Sequence, residues 1–318
     1  MSRIMHIFKK YTIAPIILVM FLVFSLFGSS FLRISNIRNI LMQSSTYGIM
    51  ALGMTFLIIN GYFDLSAGVV MGFSANLVIL LQIAGFPIFF SVLCTLAVSC
   101  LLGAINGLLV TRARINAFIV TLSMMLSVRG LIYLLCKADQ ISGPNRVFFR
   151  FANSGIFGFS YLTITFAVLL VTCTLIMRHT NHGRSTYAVG GNAEAAFNAG
   201  INVNRVRLVN FIFCSLTAGI SGVLTASRMN GATPYLGYPD GSIIVITCVV
   251  LGGTSLSGGQ GGMIFTLGGI FAYYMIRNGL NMMNVPSHFN HIITGVILIT
   301  IVTFNKLVTS RKPKTREF

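Results

Sequence analysis

The chain has 318 residues, 55% of them hydrophobic and 8% charged, where soluble domains carry roughly 25% charged residues. That balance excludes an ordinary soluble domain. The net charge of +17 at pH 7 does not point to nucleic acid either, because Lys and Arg are spread over short loops and termini rather than gathered on one face or groove.

Several charge-free windows are long enough to cross a hydrocarbon core of about 30 Å. In chain order they predict ten membrane spans, at 12–29, 43–60, 66–83, 88–110, 116–136, 161–177, 208–228, 241–256, 263–280 and 290–306. The first follows a basic patch, lacks a clear small-x-small cleavage site and reads as an uncleaved span. With the N-terminus inside, inner segments hold about twice as many Lys and Arg as outer ones, which predicts both termini in the cytoplasm. The expected fold class is an all-α polytopic membrane protein of about ten transmembrane helices, one domain over 1–318.

The polar stretches between spans carry the candidate chemistry. Ser30–Leu41 holds Asn36 and Asn39 among apolar residues and predicts a short interfacial helix. Gly61–Gly68 reads GYFDLSAG and contains Asp64, the first acidic residue of the chain. A carboxylate near a membrane is costly and marks a functional candidate. Asp64 also precedes Leu65 and Ser66 as a helix cap would, so a cap and a substrate or gating contact both stand. Asn60 and Ser66 flank it in the candidate substrate path. Arg129 is the one charge clearly within a span, and Asp64 is the carboxylate that could approach it.

The outer loop 137–160 mixes Arg146 and Arg150 with Phe148, Phe149, Phe151, Phe157 and Phe159. It either receives a soluble partner or forms an interfacial aromatic belt. The break 178–207 falls in the cytoplasm by the same charge bias. Inside it, Asn192 is a good N-cap, Glu194 suits the positive helix end, Ala195 and Ala196 are strong helix formers, and Gly200 fits the C′ position. So short a helix gains little stability alone, which predicts docking on another surface.

Further on, 230–242 is polar, and Val250–Gly262 reads VLGGTSLSGGQGG. So many glycines allow a broken or re-entrant span, since irregular backbone at depth is tolerated when buried or lining a cavity. Gly103 with Gly107, and Gly258 with Gly262, have the small-x-x-x-small spacing of tight helix packing. Asn278 and Asn281 lie one turn apart at the outer end of the ninth span, where they contact a polar ligand or satisfy a neighbouring helix.

Some motifs mislead. LSGGQ at Leu256–Gln260 spells an ATPase signature, but the chain has no phosphate-cradling G-x-x-x-x-G-K-[ST] loop. GISG at Gly219–Gly222 would need a histidine on a facing span for serine chemistry, and only His288 and His291, at an outer edge, are on offer. The six cysteines fall in or beside apolar runs and read as small buried hydrophobes. The histidines and acids form no metal-ligand cluster.

Four stretches resemble the permease subunits of bacterial ABC importers for ribose, xylose, galactose and related sugars. GMTFLIINGYFDLSAG (Gly53–Gly68) is similar to the family's G-M-T-x-V-I-x-x-G-G-I-D-L-S-V-G. GRSTYAVGGNAEAAFNAGINVNRVR (Gly183–Arg207) is similar to G-R-x-x-Y-A-I-G-G-N-x-x-A-A-x-x-x-G-I-N. VVLGGTSLSGGQGG (Val249–Gly262) is similar to V-V-L-G-G-T-S-L-x-G-G-x-G, and NGLNMMNV (Asn278–Val285) to N-G-L-N-L-L-G-V. The resemblance implies a permease without catalytic chemistry or cofactor of its own, since ATP is used by a separate cytoplasmic ABC ATPase. It implies a periplasmic or lipid-anchored sugar-binding protein, a second permease chain, identical or different, and the bacterial inner membrane. It also implies that Gly190, Gly191, Asn192, Glu194, Ala195, Ala196, Gly200 and Ile201 form the element that docks on the ATPase. Two departures bear on the cargo. Tyr62 and Phe63 replace the family's Gly and Ile before the aspartate, and Ser242 and Ile244 stand where an E-L-D stretch is common. A pentose or hexose, the furanosyl signal autoinducer-2, and a stand-alone ion-driven carrier remain the alternatives.

Overall fold

The computed structural model describes residues 31–286 together with Phe21, Phe289, Ile292, Ile293, Gly295, Val296 and Ile299. All of the predicted span 12–29 except Phe21, most of 290–306, and His288 and His291 therefore lie outside the described residues. In chain order the helices are Ile34–Ile59 (α1), Ala67–Ile83 (α2), Ile88–Thr111 (α3), Ala117–Cys136 (α4), Arg146–Asn153 (α5), Tyr161–His179 (α6), Asn181–Gly191 (α7), Ala193–Asn198 (α8), Val203–Met229 (α9), Gly241–Leu251 (α10) and Met263–Met282 (α11). By length and composition α1, α3, α4, α6 and α9 can each cross a membrane. The chain is a mostly helical, multi-pass membrane protein.

The core forms around α9. Gly103 and Gly107 on α3 let that helix lie against Phe211, Ser215 and Leu208, as their spacing predicts. Gly219 and Gly222 of the GISG stretch serve the same purpose, meeting Ser99 on α3 and Met71 on α2. Ser221 donates to the Thr46 carbonyl at 2.5 Å, so its hydroxyl is committed to packing on α1. All six cysteines are free thiols, and no group of three metal-ligating side chains occurs among the described residues.

Three expectations need correction. Ser30–Leu41 is not a separate interfacial helix; α1 starts at Ile34 and runs on unbroken. The polar Asn36 is accommodated by a reciprocal amide pair with Asn278 of α11, 2.9 Å in each direction. The apolar run 241–256 yields only the 11-residue α10, which stops at Gly252 and at Gly253 with its φ of +101°. Gly258 and Gly262 precede α11 in an irregular loop and so do not pack helix on helix. In the loop 137–160, α5 stands between β1 (Ile141–Ser142) and a small hairpin of β2 (Gly155–Ile156) and β3 (Phe159–Ser160). β1 pairs antiparallel with β4 (Gly231–Ala232), tying this loop to the end of α9.

Two helices begin inside the bundle rather than at its ends. Along α2, Asn76 donates to the Thr233 carbonyl at 3.1 Å, and Gly68 N–H donates to Ser242 Oγ at 2.8 Å. The irregular stretch 233–240 therefore runs antiparallel to α2, and the N-termini of α2 and α10 meet. A Cβ on Gly241 would sit 3.7 Å from the Tyr47 ring of α1. At 1.5 Å per residue Tyr47 is about 18 Å from the Ile59 end of α1, roughly half a hydrocarbon thickness. The break was expected in the Gly-rich stretch 250–262; the irregular backbone that reaches this depth in the bundle is 233–240 instead.

Candidate functional site

The polar segment after α6 folds into two short helices. Thr180 caps α7 by accepting from Gly183 N–H at 3.2 Å. Asn192 caps α8 by accepting from Ala195 N–H at 3.0 Å. At the other end Gly200, with φ +82°, donates to the Phe197 carbonyl at 2.9 Å, and Ile201 N–H reaches the Ala196 carbonyl at 3.0 Å. These two bonds are the Schellman pattern, which needs a left-handed residue at C′. Ala196 is buried and packs in a small apolar cluster with Val189, Val206 and Ile201, which fastens the inner side of α8 to α7 and α9. Gly191, Asn192, Glu194, Ala195 and Gly200 are exposed. So is Phe197, at 69%. That ring was not among the residues singled out from sequence; a large aromatic at an outward position of so short a helix was the signal for it.

α7 is held where three backbones meet. A Cβ on Gly190 would fall onto the Ile59 carbonyl oxygen and lie 2.8 Å from Gly259 N. That carbonyl, at the end of α1, accepts from Gly259 N–H at 2.8 Å. Gly258 abuts the Gly190 carbonyl and the backbone of Gly61. Tyr187 Oη donates to the Gly261 carbonyl at 2.9 Å. Burial pushes the Tyr187 phenol up, against the pull of Arg178, so the donor keeps its proton at neutral pH. Asn60 Nδ2 points to the Thr186 carbonyl at 3.5 Å. His182 bonds Asn210 Oδ1 at 2.8 Å and stacks on Phe56 with ring centroids 6.4 Å apart. Arg207 lies 5.0 Å from the Tyr62 ring centroid. The segment 178–207, the Gly-rich turn and the α1–α2 connection thus form one junction at one end of the bundle. α7 is in backbone contact with the end of α1 and with the Gly-rich turn that leads into α11.

Asp64 sits in the irregular connection before α2, with none of its surface exposed. Its Oδ1 accepts from Ser66 N–H at 2.7 Å and from Ser66 Oγ at 2.6 Å. Asn106 of α3 donates to Asp64 Oδ2 at 3.5 Å and to Ser66 Oγ at 3.0 Å. This is the geometry of a carboxylate capping the break that precedes α2. Ser242, also buried, donates to the Leu65 carbonyl at 2.7 Å while accepting from Gly68, so it ties the two breaks together. The two breaks have related sequences, Gly-Tyr-Phe-Asp-Leu-Ser at 61–66 and Gly-Tyr-Pro-Asp-Gly-Ser at 237–242. Ser242 bridges the paired helix starts, whereas the Ser66 hydroxyl is held by Asp64 and Asn106. That internal repeat was readable from the sequence and is the signal that would have placed Ser242 among the candidates.

The candidate path residues do not form one cluster. Asp64 and Ser66 are together. Asn60 belongs to the α7 junction, and Asn278 is paired with Asn36 at the opposite end of the bundle. Asn281 is exposed. Arg129 does not meet Asp64; its neighbours are tyrosines.

Residues 36–302 match the protein family described as branched-chain amino acid transport system / permease component. The ribose import permease protein RbsC of Bacillus subtilis (strain 168) is 33% identical over 290 residues, covering 91% of this chain and 90% of that protein. The L-arabinose ABC transporter permease protein AraH of Azospirillum brasilense is 33% identical over 298 residues, 92% of this chain and 86% of that one. The probable ABC transporter permease protein YphD of Escherichia coli (strain K12) is 34% identical over 311 residues, 95% and 90% of the two chains. No solved structure matches the chain.

Proposed function

The chain belongs to the branched-chain amino acid transport system / permease component family, and we propose that it is the membrane-spanning subunit of an ABC importer that carries a sugar of the pentose or hexose class. It is a transport permease and not an enzyme. The observation that carries the coupling half of this reading is the α7–α8 segment: a short helix, capped at both ends, fixed by its inner side and presenting an exposed phenylalanine. The relatives named for ribose and arabinose support the cargo class.

In this reading the chain is a single permease domain over 1–318 with ten spans, both termini in the cytoplasm, in the bacterial inner membrane. Residues 178–207 face the cytoplasm and 137–160 the outer side. A cytoplasmic ABC ATPase receives α8 through Gly191, Asn192, Glu194, Ala195, Phe197 and Gly200, while Gly190, Ala196 and Ile201 hold the element to the bundle. A sugar-binding protein delivers cargo at the outer face, and a second permease chain completes the path. ATP-driven movement of α8 shifts the Gly190 junction between two arrangements and moves α1 and α11 with it. Of the path residues, Asn281 is the one open to cargo. Asp64, Asn60, Ser66 and Asn278 support the walls.

The test is co-purification. Phe197→Ala removes an exposed aromatic anchor, a class of residue worth about 2 kcal/mol or more at an interface, and is expected to weaken capture of the ATPase markedly. Glu194→Arg with Gly200→Pro reverses the charge at the helix start and forbids the left-handed C′ residue, and is expected to abolish capture while the spans still insert. Undiminished capture by both variants would contradict the docking assignment.

A further inference from the structure

We propose, resting on the permease reading above, that the sugar-binding protein docks on the β2–β3 hairpin, seating an apolar patch on Phe157 and an acidic side chain on Arg38 in the pocket beside it. Ile156 pairs with Phe159, so the hairpin closes through two residues, Phe157 and Gly158. Their φ values are +52° and +82°. Positive φ at both central positions marks a type I′ turn, for which Asn-Gly is the preferred pair. Gly158 suits its place. A bulky side chain at such a φ is an outlier. The Phe157 ring is also 95% exposed, so its own chain gives it almost no packing in return. An aromatic side chain held in the open by a rigid two-residue turn has the form of an interface anchor.

The second feature lies on the same turn. A Cβ on Gly158 would fall onto the Arg38 guanidinium, so Arg38 of α1 packs against the turn backbone. Arg38 borders a cavity of about 330 Å³ together with Asn39, Asn153, Ser154, Ser160 and Thr163. Among the described residues no carboxylate lines this pocket and none pairs with Arg38. A polar pocket around an exposed cation suits water and an acidic side chain, not hydrocarbon. Arg38 is about 30 Å from the Ile59 end of α1, where α7 and the Gly-rich turn meet. The hairpin therefore lies across the bilayer from the segment assigned to the ATPase, on the side where a binding protein delivers cargo.

The experiment uses the complete transporter in proteoliposomes. It reads the concentration of its sugar-binding protein that gives half-maximal ATP-driven uptake of D-ribose or L-arabinose. Phe157→Asn writes the preferred Asn-Gly turn, so the variant should unfold at a temperature no lower than the native chain. Its half-maximal concentration is expected to rise by about tenfold or more, the scale of losing an aromatic anchor, while the rate at saturating binding protein is kept. Arg38→Gln is expected to raise that concentration too, and to blunt its increase with added NaCl. An arginine that only supports the turn would not change the salt dependence. An unchanged half-maximal concentration in Phe157→Asn overturns the proposal. Weaker membrane insertion alone would then seat the ring in lipid, and weaker capture of the second permease chain alone would seat it there. A native salt dependence in Arg38→Gln overturns the acidic contact. Native uptake that needs no binding protein overturns the permease reading and this docking with it. Native uptake that needs the binding protein but is indifferent to both substitutions overturns the docking alone.

Discussion

Gly190→Ala is expected to lower ATP-driven uptake by more than about tenfold, and by far more than Gly191→Ala, whose added methyl meets nothing within the chain. The two glycines are neighbours, and only the first has no room. Its added methyl would land on the Ile59 carbonyl oxygen and lie 2.8 Å from Gly259 N. Neither neighbour is a flexible side chain. The Ile59 carbonyl is the acceptor for Gly259 N–H at 2.8 Å, so moving it breaks the bond that joins α1 to the Gly-rich turn. Overpacking of this kind costs about 1–3 kcal/mol. At Gly191 a Cβ meets nothing within 4 Å, which makes that variant a control for helix propensity and for expression. Uptake and ATP hydrolysis are measured together on the assembled transporter. Lost uptake with hydrolysis retained means that the junction transmits the ATPase movement. Normal uptake in Gly190→Ala would remove the junction from the mechanism.

The second large effect concerns Asp64. Asp64→Ala leaves Ser66 N–H and Ser66 Oγ without their buried acceptor, and leaves the Asn106 amide only Ser66 Oγ. Each buried donor left unpaired costs about 1–3 kcal/mol, and even 2 kcal/mol is roughly thirtyfold in a folding equilibrium. A severe loss of folded protein in size-exclusion chromatography is therefore expected. Asp64→Asn is milder. One amide oxygen still serves Ser66, and the new NH2 can donate to Asn106 Oδ1, which is buried without a partner. Uptake per folded molecule should then stay within a few-fold of native. Normal folding combined with lost uptake in Asp64→Asn would instead give the carboxylate a direct role in the path.

Several helix starts were legible because the signal of a long apolar helix is its length and apolar content. α2, α3, α4, α6 and α11 start within a residue of where the hydropathy places them, or at the same residue. α8 was legible from its caps, since Asn192 and Gly200 are conformational requirements written as residue types. α7 was not. His182, Gly183, Ser185 and Thr186 are poor helix formers, and the helix is held by tertiary partners: Asn210, Phe56 and the Gly261 carbonyl. α1 begins early because Asn36 is neutralised by Asn278, more than two hundred positions away. No local window contains that pair. The Gly-rich turn was read as a place for unusual backbone, which is right, but its partners Gly190 and Gly61 come from two other segments. Arg129 was visible as an isolated charge. Its tyrosine partners on 233–240 depend on that segment running back along α2, which hydropathy does not report.

The central claim is that transport through this chain is driven by ATP on a separate subunit. The direct measurement is uptake of radiolabelled D-ribose and L-arabinose into proteoliposomes holding this chain, its ABC ATPase and its sugar-binding protein, with ATP supplied on the ATPase side. The expected result is uptake that requires all three proteins and ATP hydrolysis and that is insensitive to collapse of ion gradients. Uptake by the chain alone, driven by a proton or sodium gradient and indifferent to ATP, would contradict the account.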